Sequence, residues 1–451
     1  MNIKKIIEKP ILVSVSVFLF LLSIFSRSFV GIYIFGFRIG EIIIGLSLGG
    51  FIFCLIFYRK IIIKNLNLSI YLLLSTILTY SLFFIITDLV SSSFSLYVIR
   101  SSTFIWTLFF LFVGLYIGSI FEINEKICNY LIFLSLLIYV IQVEYFPRLA
   151  VKHGEYKSLI SNQLDVSNYK SGSIVLDFFI NYSDKFEPYK GTDLLIFIVL
   201  ILCISNRVKE NTQNRIYIFL IVSSLYIPVF FIKSRSATIC FFLYLIIEII
   251  KYRKYVFNLS KKTISVFVLS VITLLLSTYN QFDSEYEITE SQEIIYSMVT
   301  QRTPELSGKF IEIVDGRIYS GDGNLNWRLQ IWQDVVFDLK AKQSLLTGYG
   351  YKETIPAMDR RDRKGNEIAE NEHVHNYFIN ILARGGLVVL ILYILLYYQF
   401  FKISKLSNNN SKFFIIAILI LASLFDSSME NVRYPLMLYL FLGYSIAVKK
   451  D

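Results

Sequence analysis

Long apolar runs separated by short polar segments dominate the chain. A transmembrane helix needs about 20 mainly apolar residues to cross roughly 30 Å of hydrocarbon. The pattern predicts twelve such spans, near residues 10–27, 39–58, 68–87, 101–121, 127–143, 191–206, 215–232, 237–250, 263–278, 378–401, 413–427 and 434–448. The predicted fold class is therefore an all-α polytopic membrane protein with about 12 transmembrane helices.

Composition excludes a soluble protein of this length. Of the 451 residues, 55% are hydrophobic and only 17% are charged, whereas soluble domains carry about 25% charged residues. A soluble core could not bury 40 Phe and 31 Tyr beside its aliphatic residues. The basic segment 1–9 leads into an apolar run without a convincing cleavage site, so we interpret that run as an uncleaved first helix.

The distribution of basic residues predicts the orientation. If the N-terminus is cytoplasmic and the spans alternate, the cytoplasmic segments contain 20 Lys and Arg with few acids. Only the segment around Glu122 and Glu125 departs from this bias. Because cytoplasmic loops are enriched in Lys and Arg, we expect both termini to be cytoplasmic. The bases are dispersed, so the net charge of +10 does not indicate nucleic-acid binding.

Two extracytoplasmic segments are too long to be simple turns. The first covers residues 144–190, and the second is a large loop between helices 9 and 10, in which residues 280–374 contain 17 acids and 11 bases. We therefore expect the second segment to be a solvated subdomain. The predicted division is 1–143 with helices 1–5, the 144–190 outer loop, 191–278 with helices 6–9, the 279–375 loop subdomain, and 376–451 with helices 10–12.

An amphipathic helix is predicted inside the large loop. Its signal is helical spacing of a set of mainly apolar residues, namely Leu325, Arg328, Trp332, Val335 and Leu339. Such a helix could lie on the membrane surface with its tryptophans at the headgroup level. The alternative for Arg328 is a packing role against the Trp332 ring.

Arg235 is an outer basic residue flanked by Ser234 and Ser236, at the junction of two predicted spans. A guanidinium beside two hydroxyls suits a phosphate group, because its fork donates two parallel hydrogen bonds. The alternative is a short turn whose bases reach the lipid headgroups.

Two of the three histidines, His373 and His375, lie where the large loop meets a span, just before Asn376. A histidine with a pKa near neutrality is a candidate general base. A half metal site with the nearby Glu370 and Glu372 is an alternative, but ligand spacing for a metal is not evident, and we predict no metal.

Arg384 lies nine residues beyond His375, about 13 Å deeper along the same helix at ~1.5 Å per residue. A charge at that depth requires an anion or a water-filled cavity. In the loop, Gly348 and Gly350 indicate a turn that needs unusual backbone angles.

These motifs together resemble the O-antigen ligase and O-antigen polymerase superfamily. His375–Asn376 followed by nine residues and Gly386 is similar to its signature, although Val389 stands where the family has a further glycine. Ser234–Arg235–Ser236 is similar to the outer Ser-Arg motif, and residues 326–332 with 348–350 resemble the loop pattern of Arg, Trp and Gly-x-Gly. The resemblance covers roughly residues 225–400.

The resemblance implies a GT-C-like membrane glycosyltransferase in the bacterial inner membrane, with its active site facing the periplasm. The donor would be a glycan on undecaprenyl pyrophosphate, with no metal or other cofactor. Arg235 and Arg328 would stabilise the departing pyrophosphate, and His375 would be the general base. The further substrate-binding residues implied are Ser234, Ser236, Trp332, His373, Asn376, Arg384, Gly348 and Gly350.

The acceptor separates the branches of this superfamily. A polymerase transfers the growing glycan onto the next lipid-linked repeat unit, with a chain-length regulator as a further partner, whereas a ligase uses lipid A–core. We favour the polymerase, because the N-terminal half shows no pattern that we can assign. A polysaccharide flippase is the alternative from another class, but transporters usually have two related halves, and this chain concentrates its polar residues in one loop.

Overall fold

The computed structural model describes most of the chain, including part of each long loop. The described residues are 3–120, 124–145, 174–183, 190–205, 212–256, 260–282, 311–358, 374–406 and 410–447. His153 and His373 lie outside these ranges, as do Glu370 and Glu372.

The described residues are mainly helical. The helices are α1 (Ile3–Val30), α2 (Ile39–Asn65), α3 (Leu68–Ser91), α4 (Leu96–Ser101), α5 (Thr103–Trp106), α6 (Phe110–Ile120), α7 (Glu125–Ile138), α8 (Ile174–Tyr182), α9 (Gly191–Ser205), α10 (Thr212–Lys233), α11 (Arg235–Lys251), α12 (Arg253–Val256), α13 (Lys261–Phe282), α14 (Gly323–Ala341), α15 (Tyr377–Leu406), α16 (Asn410–Ser423) and α17 (Arg433–Ala447). Short 3₁₀ turns cover Thr107–Phe109, Pro356–Met358 and Ser427–Glu430, and a π-helix covers Tyr139–Tyr145.

Two antiparallel hairpins complete the described secondary structure. Strands β1 (Tyr33–Ile34) and β2 (Phe37–Arg38) connect α1 to α2, and β3 (Ile311–Val314) pairs with β4 (Arg317–Ser320) just before α14. The hairpin residues Ile313 and Ile318 are directly opposite each other in the second pair.

Each of the twelve predicted spans coincides with a helical segment of the structure. Among the described residues, seven helices are long and apolar enough to cross a membrane, and three shorter apolar helices cover 15–30, 191–205 and 414–423. An all-α polytopic membrane protein is therefore confirmed as the fold class. The number of twelve spans and the side on which each loop lies stay predictions.

The segment 144–190, which is predicted to be an outer loop, contains a helix that the sequence pattern did not reveal. Helix α8 packs against α1, where the ring centroids of Phe179 and Phe25 are 5.8 Å apart. Its end is fixed by Ser183, whose hydroxyl donates to the Ser28 carbonyl at 2.9 Å. Part of this segment therefore packs onto the helix bundle.

Helix α14 confirms the amphipathic helix predicted in the large loop. Its residues Ile331, Val335 and Leu339 are fully buried and form one cluster with Leu382 and Ala383 of α15. The apolar face of α14 thus packs on protein and not on the membrane surface. This packing brings the start of α14 close to the start of α15.

Helix α15 is broken at Gly386, whose backbone angles are φ +69° and ψ −172°. In a continuous helix, the N–H groups of Leu387 and Val388 would donate to the carbonyls of Ala383 and Arg384. The conformation of Gly386 prevents that pattern, so these four groups need other partners inside the protein.

The loop segment 345–350 supplies those partners. The carbonyls of Leu345 and Leu346 accept from the two N–H groups after the break, at 2.9 and 3.4 Å. The N–H groups of Tyr349 and Gly350 donate to the two carbonyls before it, at 2.7 and 3.1 Å. The main chain of the large loop is therefore inserted into the break, which fixes the loop relative to α15.

Candidate active site

The first part of the candidate site is the start of α11. Ser234 is the N-cap, and its hydroxyl accepts from the N–H of Ala237 at 3.3 Å and lies 3.1 Å from the Ser236 hydroxyl. A serine at this position stabilises a helix by satisfying an unpaired backbone donor. The cap places Arg235 at the first helical position, where 86% of its side chain is exposed and Nη1 is 2.5 Å from Oδ2 of Asp322.

The second part is the start of α14. Asp322 is its N-cap and accepts from the N–H of Leu325 at 2.9 Å with the carboxylate oxygen that does not bind Arg235. Further along α14, Arg328 donates through Nη1 to the carbonyl of Phe425. Its Nε is buried without a hydrogen-bond partner among the described residues. The described residues therefore leave one hydrogen-bond donor of Arg328 unsatisfied.

Burial affects the charge of Arg328. Removal from solvent lowers the pKa of the guanidinium, and the carboxylates of Asp426 and Asp322 act in the opposite direction. An arginine remains protonated under these conditions, because its ordinary pKa is far above neutrality. A partly desolvated cation of this kind binds a phosphate oxygen more strongly than one in bulk water.

The third part is the start of α15. His375 adopts a left-handed backbone conformation with φ +55°, which costs roughly 1–2 kcal/mol for a residue with a side chain. Asn376 then caps α15, because its side-chain oxygen accepts from the N–H of Ile379 at 3.1 Å. His375 thus has a titratable side chain on a strained backbone, and the next residue, Asn376, begins the helix.

Two tryptophans of α14 hold this strained residue. The indole N–H of Trp332 donates to the carbonyl of Val374 at 2.8 Å. The ring of Trp327 lies 4.9 Å from the imidazole of His375, centroid to centroid. Trp332, which the sequence analysis placed among the substrate-binding residues, therefore contacts the residue before His375.

The fourth part is a turn between α16 and α17 that contains Asp426. Its Oδ1 accepts from the N–H of Ser427 at 2.7 Å, and its Oδ2 accepts from the Thr192 hydroxyl at 2.5 Å. Nζ of Lys190 is 3.4 Å from Oδ1, and Nδ1 of His375 is 4.0 Å from the same oxygen. Asp426 therefore lies between a lysine and the candidate base.

The environment of Asp426 keeps it ionised. Burial alone would raise the pKa of this carboxyl, but Lys190, the hydrogen bond from Thr192, His375 and the N–H of Ser427 together lower the pKa to about 2. Asp426 is thus a carboxylate at any pH near neutrality.

Beneath these groups, a buried ion cluster joins three helices. Nη2 of Arg433 is 2.6 Å from Oδ2 of Asp193, and Nε of Arg27 is 3.7 Å from the same oxygen. Arg433 also donates to the hydroxyl of Ser26 at 2.8 Å. The cluster connects α1, α9 and α17, and it fixes the end of α9 that carries Thr192.

Arg235 is linked through Asp322 to α14, which carries Arg328, and α14 contacts His375 through Trp327. Ser234 and Ser236 flank Arg235, Trp332 bonds to the residue before His375, and Asn376 is the residue after it. Gly348 and Gly350 instead belong to the segment inserted into the break of α15, with φ of +76° and +78°. A Cβ at Gly348 would lie 2.6 Å from the carbonyl carbon of Arg384, and one at Gly350 would lie 2.8 Å from the Asp88 carboxylate. Both positions need glycine.

Arg384 is buried and bonded to the same inserted segment. Its guanidinium donates to the carbonyls of Gly350 and Glu353, at 3.2 and 2.6 Å, and to the hydroxyl of Tyr97 at 2.9 Å. An arginine at this depth needs hydrogen-bond partners inside the protein, and these three bonds supply them. They favour a structural role over the phosphate binding that the resemblance implied.

Sequence reasoning missed Asp426, Lys190 and Asp322. Asp426 lies at the end of the predicted span 413–427, and an ionisable residue in a span is itself a signal of function. Asp322 and Lys190 carry no comparable signal, because their partners are far away in the chain.

Comparison with known proteins bears directly on this site. Residues 216–394 match the family described as O-antigen ligase, and the matched segment contains Arg235, Arg328 and His375. A search among curated proteins gave no match. Residues 216–394 of the chain are therefore similar to the O-antigen ligase family, in agreement with the resemblance of the motifs around Arg235, Arg328 and His375.

Proposed function

We propose that this protein is a polymerase of surface polysaccharide, which transfers a glycan from undecaprenyl pyrophosphate onto the next lipid-linked repeat unit. The family match over residues 216–394 supports glycosyltransferase-type activity on lipid-linked glycans in a membrane. The proposal is carried by two contacts of α14, the helix that contains Arg328. Its N-cap Asp322 pairs with Arg235, and its Trp327 ring lies against the imidazole of His375.

The reaction requires two kinds of group. The acceptor hydroxyl oxygen attacks the anomeric carbon while the bond from that carbon to the pyrophosphate oxygen breaks. His375 accepts the hydroxyl proton, and the leaving pyrophosphate retains the electron pair of the broken bond. Arg235 and Arg328 stabilise the negative charge that develops on the leaving group. Direct attack inverts the configuration at the anomeric carbon.

The geometry supports these roles. Arg235 is exposed and oriented by Asp322, and Arg328 has a buried Nε that no described residue satisfies. His375 is held by Trp327 and the capped start of α15. The Asp426 carboxylate lies near enough to stabilise the imidazolium that forms when His375 takes the proton.

The location proposed for this chemistry is the periplasmic face of the inner membrane. The positive-inside pattern supports this location, because it favours cytoplasmic termini and the start of α11, α14 and α15 on the other side. The proposed partners are the lipid-linked donor and acceptor, the bilayer itself and a chain-length regulator.

Reconstitution tests the proposal. The purified protein in liposomes, given a lipid-linked repeat unit alone in EDTA, should produce a ladder of longer glycans. The ladder should disappear in Arg235→Ala, Arg328→Ala and His375→Ala. The matched control is Lys340→Ala, which removes an exposed base at the far end of α14 and should leave the ladder unchanged.

A second candidate is the ligase, because the family that matches is described as O-antigen ligase. In that case the repeat unit alone gives no ladder, and transfer begins when lipid A–core is added. Movement of the lipid-linked unit across the bilayer without any change in glycan length would reject both enzymes and favour a flippase.

A further inference from the structure

One carboxylate oxygen in the candidate site has two cationic or potentially cationic neighbours. Oδ1 of Asp426 is 3.4 Å from Nζ of Lys190 and 4.0 Å from Nδ1 of His375. Lys190 is the nearer of the two. The negative charge that His375 experiences therefore depends on what Lys190 does.

Lys190 is held in place and does not extend freely into solvent. Only 28% of its side chain is exposed, and its Nζ also donates to the hydroxyl of Ser427 at 2.9 Å. It directly precedes α9, whose Thr192 donates to the other oxygen of Asp426. Lys190 and Thr192 thus bind Asp426 from one rigid helix start.

Other charged groups surround this pair. Arg328 faces Asp426 from α14, and Arg27, Asp193 and Arg433 act on Lys190 from α1, α9 and α17. Glu430 is buried in the turn that follows Asp426. Arg27, Asp193 and Arg433 pair with one another in the ion cluster that joins α1, α9 and α17, and Lys190 is not one of the ion-pair partners in it.

We propose that Lys190 is a positioning residue that keeps the His375 imidazole neutral by compensating the charge of Asp426. The role rests on the function proposed above, because a general base must be unprotonated to accept a proton near neutral pH. An uncompensated carboxylate within about 4–6 Å favours the protonated imidazole and raises its pKa by roughly 1–3 units. Lys190 offsets that effect in the resting protein.

The test measures the protonation of His375 without any substrate. Diethyl pyrocarbonate reacts with neutral imidazole, and tandem mass spectrometry distinguishes modification of His375 from that of His373. The rate of modification is recorded between pH 5 and 9 for the wild-type protein and three variants in detergent. Lys190→Met removes the charge, Lys190→Arg keeps it, and Lys340→Met is the same change at an exposed lysine of α14.

In Lys190→Met, the pH midpoint of the His375 modification rate should move upwards by about one pH unit or more. Lys190→Arg and Lys340→Met should keep the wild-type midpoint. A midpoint in Lys190→Met that is unchanged or lower, in protein with a wild-type melting temperature, would overturn the inference.

A second measurement separates this inference from the proposed function. If the repeat unit is polymerised, the polymerisation rate of Lys190→Met should decline on the acid side at a higher pH than in wild type. That shift should match the shift in the pH midpoint of His375 modification. If no variant, including the wild type, makes a ladder or transfers to lipid A–core while the midpoint still shifts, the inference stands and the proposed function is wrong. A shifted midpoint with no shift in that acid-side decline would overturn the positioning role.

Discussion

Nη1 of Arg235 lies 2.5 Å from Oδ2 of Asp322, so the first residue of α11 is paired with the residue that caps α14. The same carboxylate therefore begins the helix that carries Arg328 and orients the other candidate arginine. A single acidic side chain thereby sets the spacing of two arginines that we propose bind one pyrophosphate.

The first prediction concerns this pair. Asp322→Asn keeps a good N-cap but removes the charge that orients Arg235. We expect turnover to fall roughly tenfold or more, because small displacements of a positioning group are costly in catalysis. The melting temperature should change little, because an ion pair with an exposed partner contributes about 0–1 kcal/mol. Polymerisation in liposomes and thermal unfolding in detergent measure the two effects.

Asp322→Ala is the control for the cap. It removes both the charge and the capping oxygen, so it should lower stability by about 1 kcal/mol beyond Asp322→Asn. If Asp322→Asn retained full turnover, the exposed Arg235 would not depend on Asp322, and the proposed link between the two arginines would be wrong.

The second prediction uses the pKa of Asp426. Its pKa in the folded protein is about 2, below the ordinary value of 3.8. The ionised carboxylate therefore stabilises the fold above about pH 4, and that stabilisation is lost as the pH falls towards 2. Asp426→Asn should accordingly lower the melting temperature by a constant amount between pH 5 and 7. The difference from wild type should shrink as the pH falls from 4 to 2.

Thr192→Val serves as the comparison, because it removes one hydrogen bond to Asp426 and leaves the charge in place. It should raise the pKa of Asp426 and move the pH range of the acid loss upwards. A difference between wild type and Asp426→Asn that persists undiminished at pH 2 would show that the stabilisation does not come from the ionised carboxylate.

The third prediction tests the inserted segment. Gly348→Ala places a methyl group 2.6 Å from the Arg384 carbonyl carbon at a residue with φ +76°. We expect the melting temperature to fall by several degrees, because the change opposes both the backbone conformation and the close approach. Gly45→Ala is the matched control, since a Cβ at Gly45 meets nothing within 4 Å and its helix favours alanine. An equal effect of the two variants would contradict the close packing of residues 345–350 against α15.

The sequence predicted the parts of this protein that depend on local pattern. Apolar runs of about 20 residues are sufficient to locate helices in a membrane, and the period of Val335 and Leu339 was sufficient to find α14. Serine and asparagine at helix starts likewise bond to the backbone of the helix that they begin, so their effect is local in the sequence. Arg235 and His375 were recognisable because a basic or titratable side chain beside an apolar span is rare. Arg328 was recognisable from the loop pattern of Arg and Trp in residues 326–332.

What the sequence did not reveal depends on contacts between distant segments. Arg384 has the same sequence signal whether it binds phosphate or the carbonyls of Gly350 and Glu353, and only the fold distinguishes the two. Lys190 and Asp426 meet because α9 and the turn after α16 are neighbours in space. Periodicity carries no information about such pairs.

The fourth prediction separates the two roles of Arg384. If its function is to hold the inserted segment, Arg384→Met removes three buried hydrogen bonds from a charged donor, each contributing about 1.5–3 kcal/mol. The variant should therefore unfold at a much lower temperature. At temperatures where it is still folded, its KM for the lipid-linked donor should stay within a few-fold of wild type.

Arg328→Met gives the opposite combination and serves as the comparison for Arg384. It removes one hydrogen bond, to the Phe425 carbonyl, where Arg384→Met removes three, so the melting temperature should fall less than in Arg384→Met while polymerisation is lost. If Arg384→Met instead kept the wild-type melting temperature and lost donor binding, Arg384 would be a phosphate ligand. In that case, its bonds to Gly350 and Glu353 would have to be exchanged for substrate during the reaction, and the inserted segment would be held by its main-chain hydrogen bonds alone.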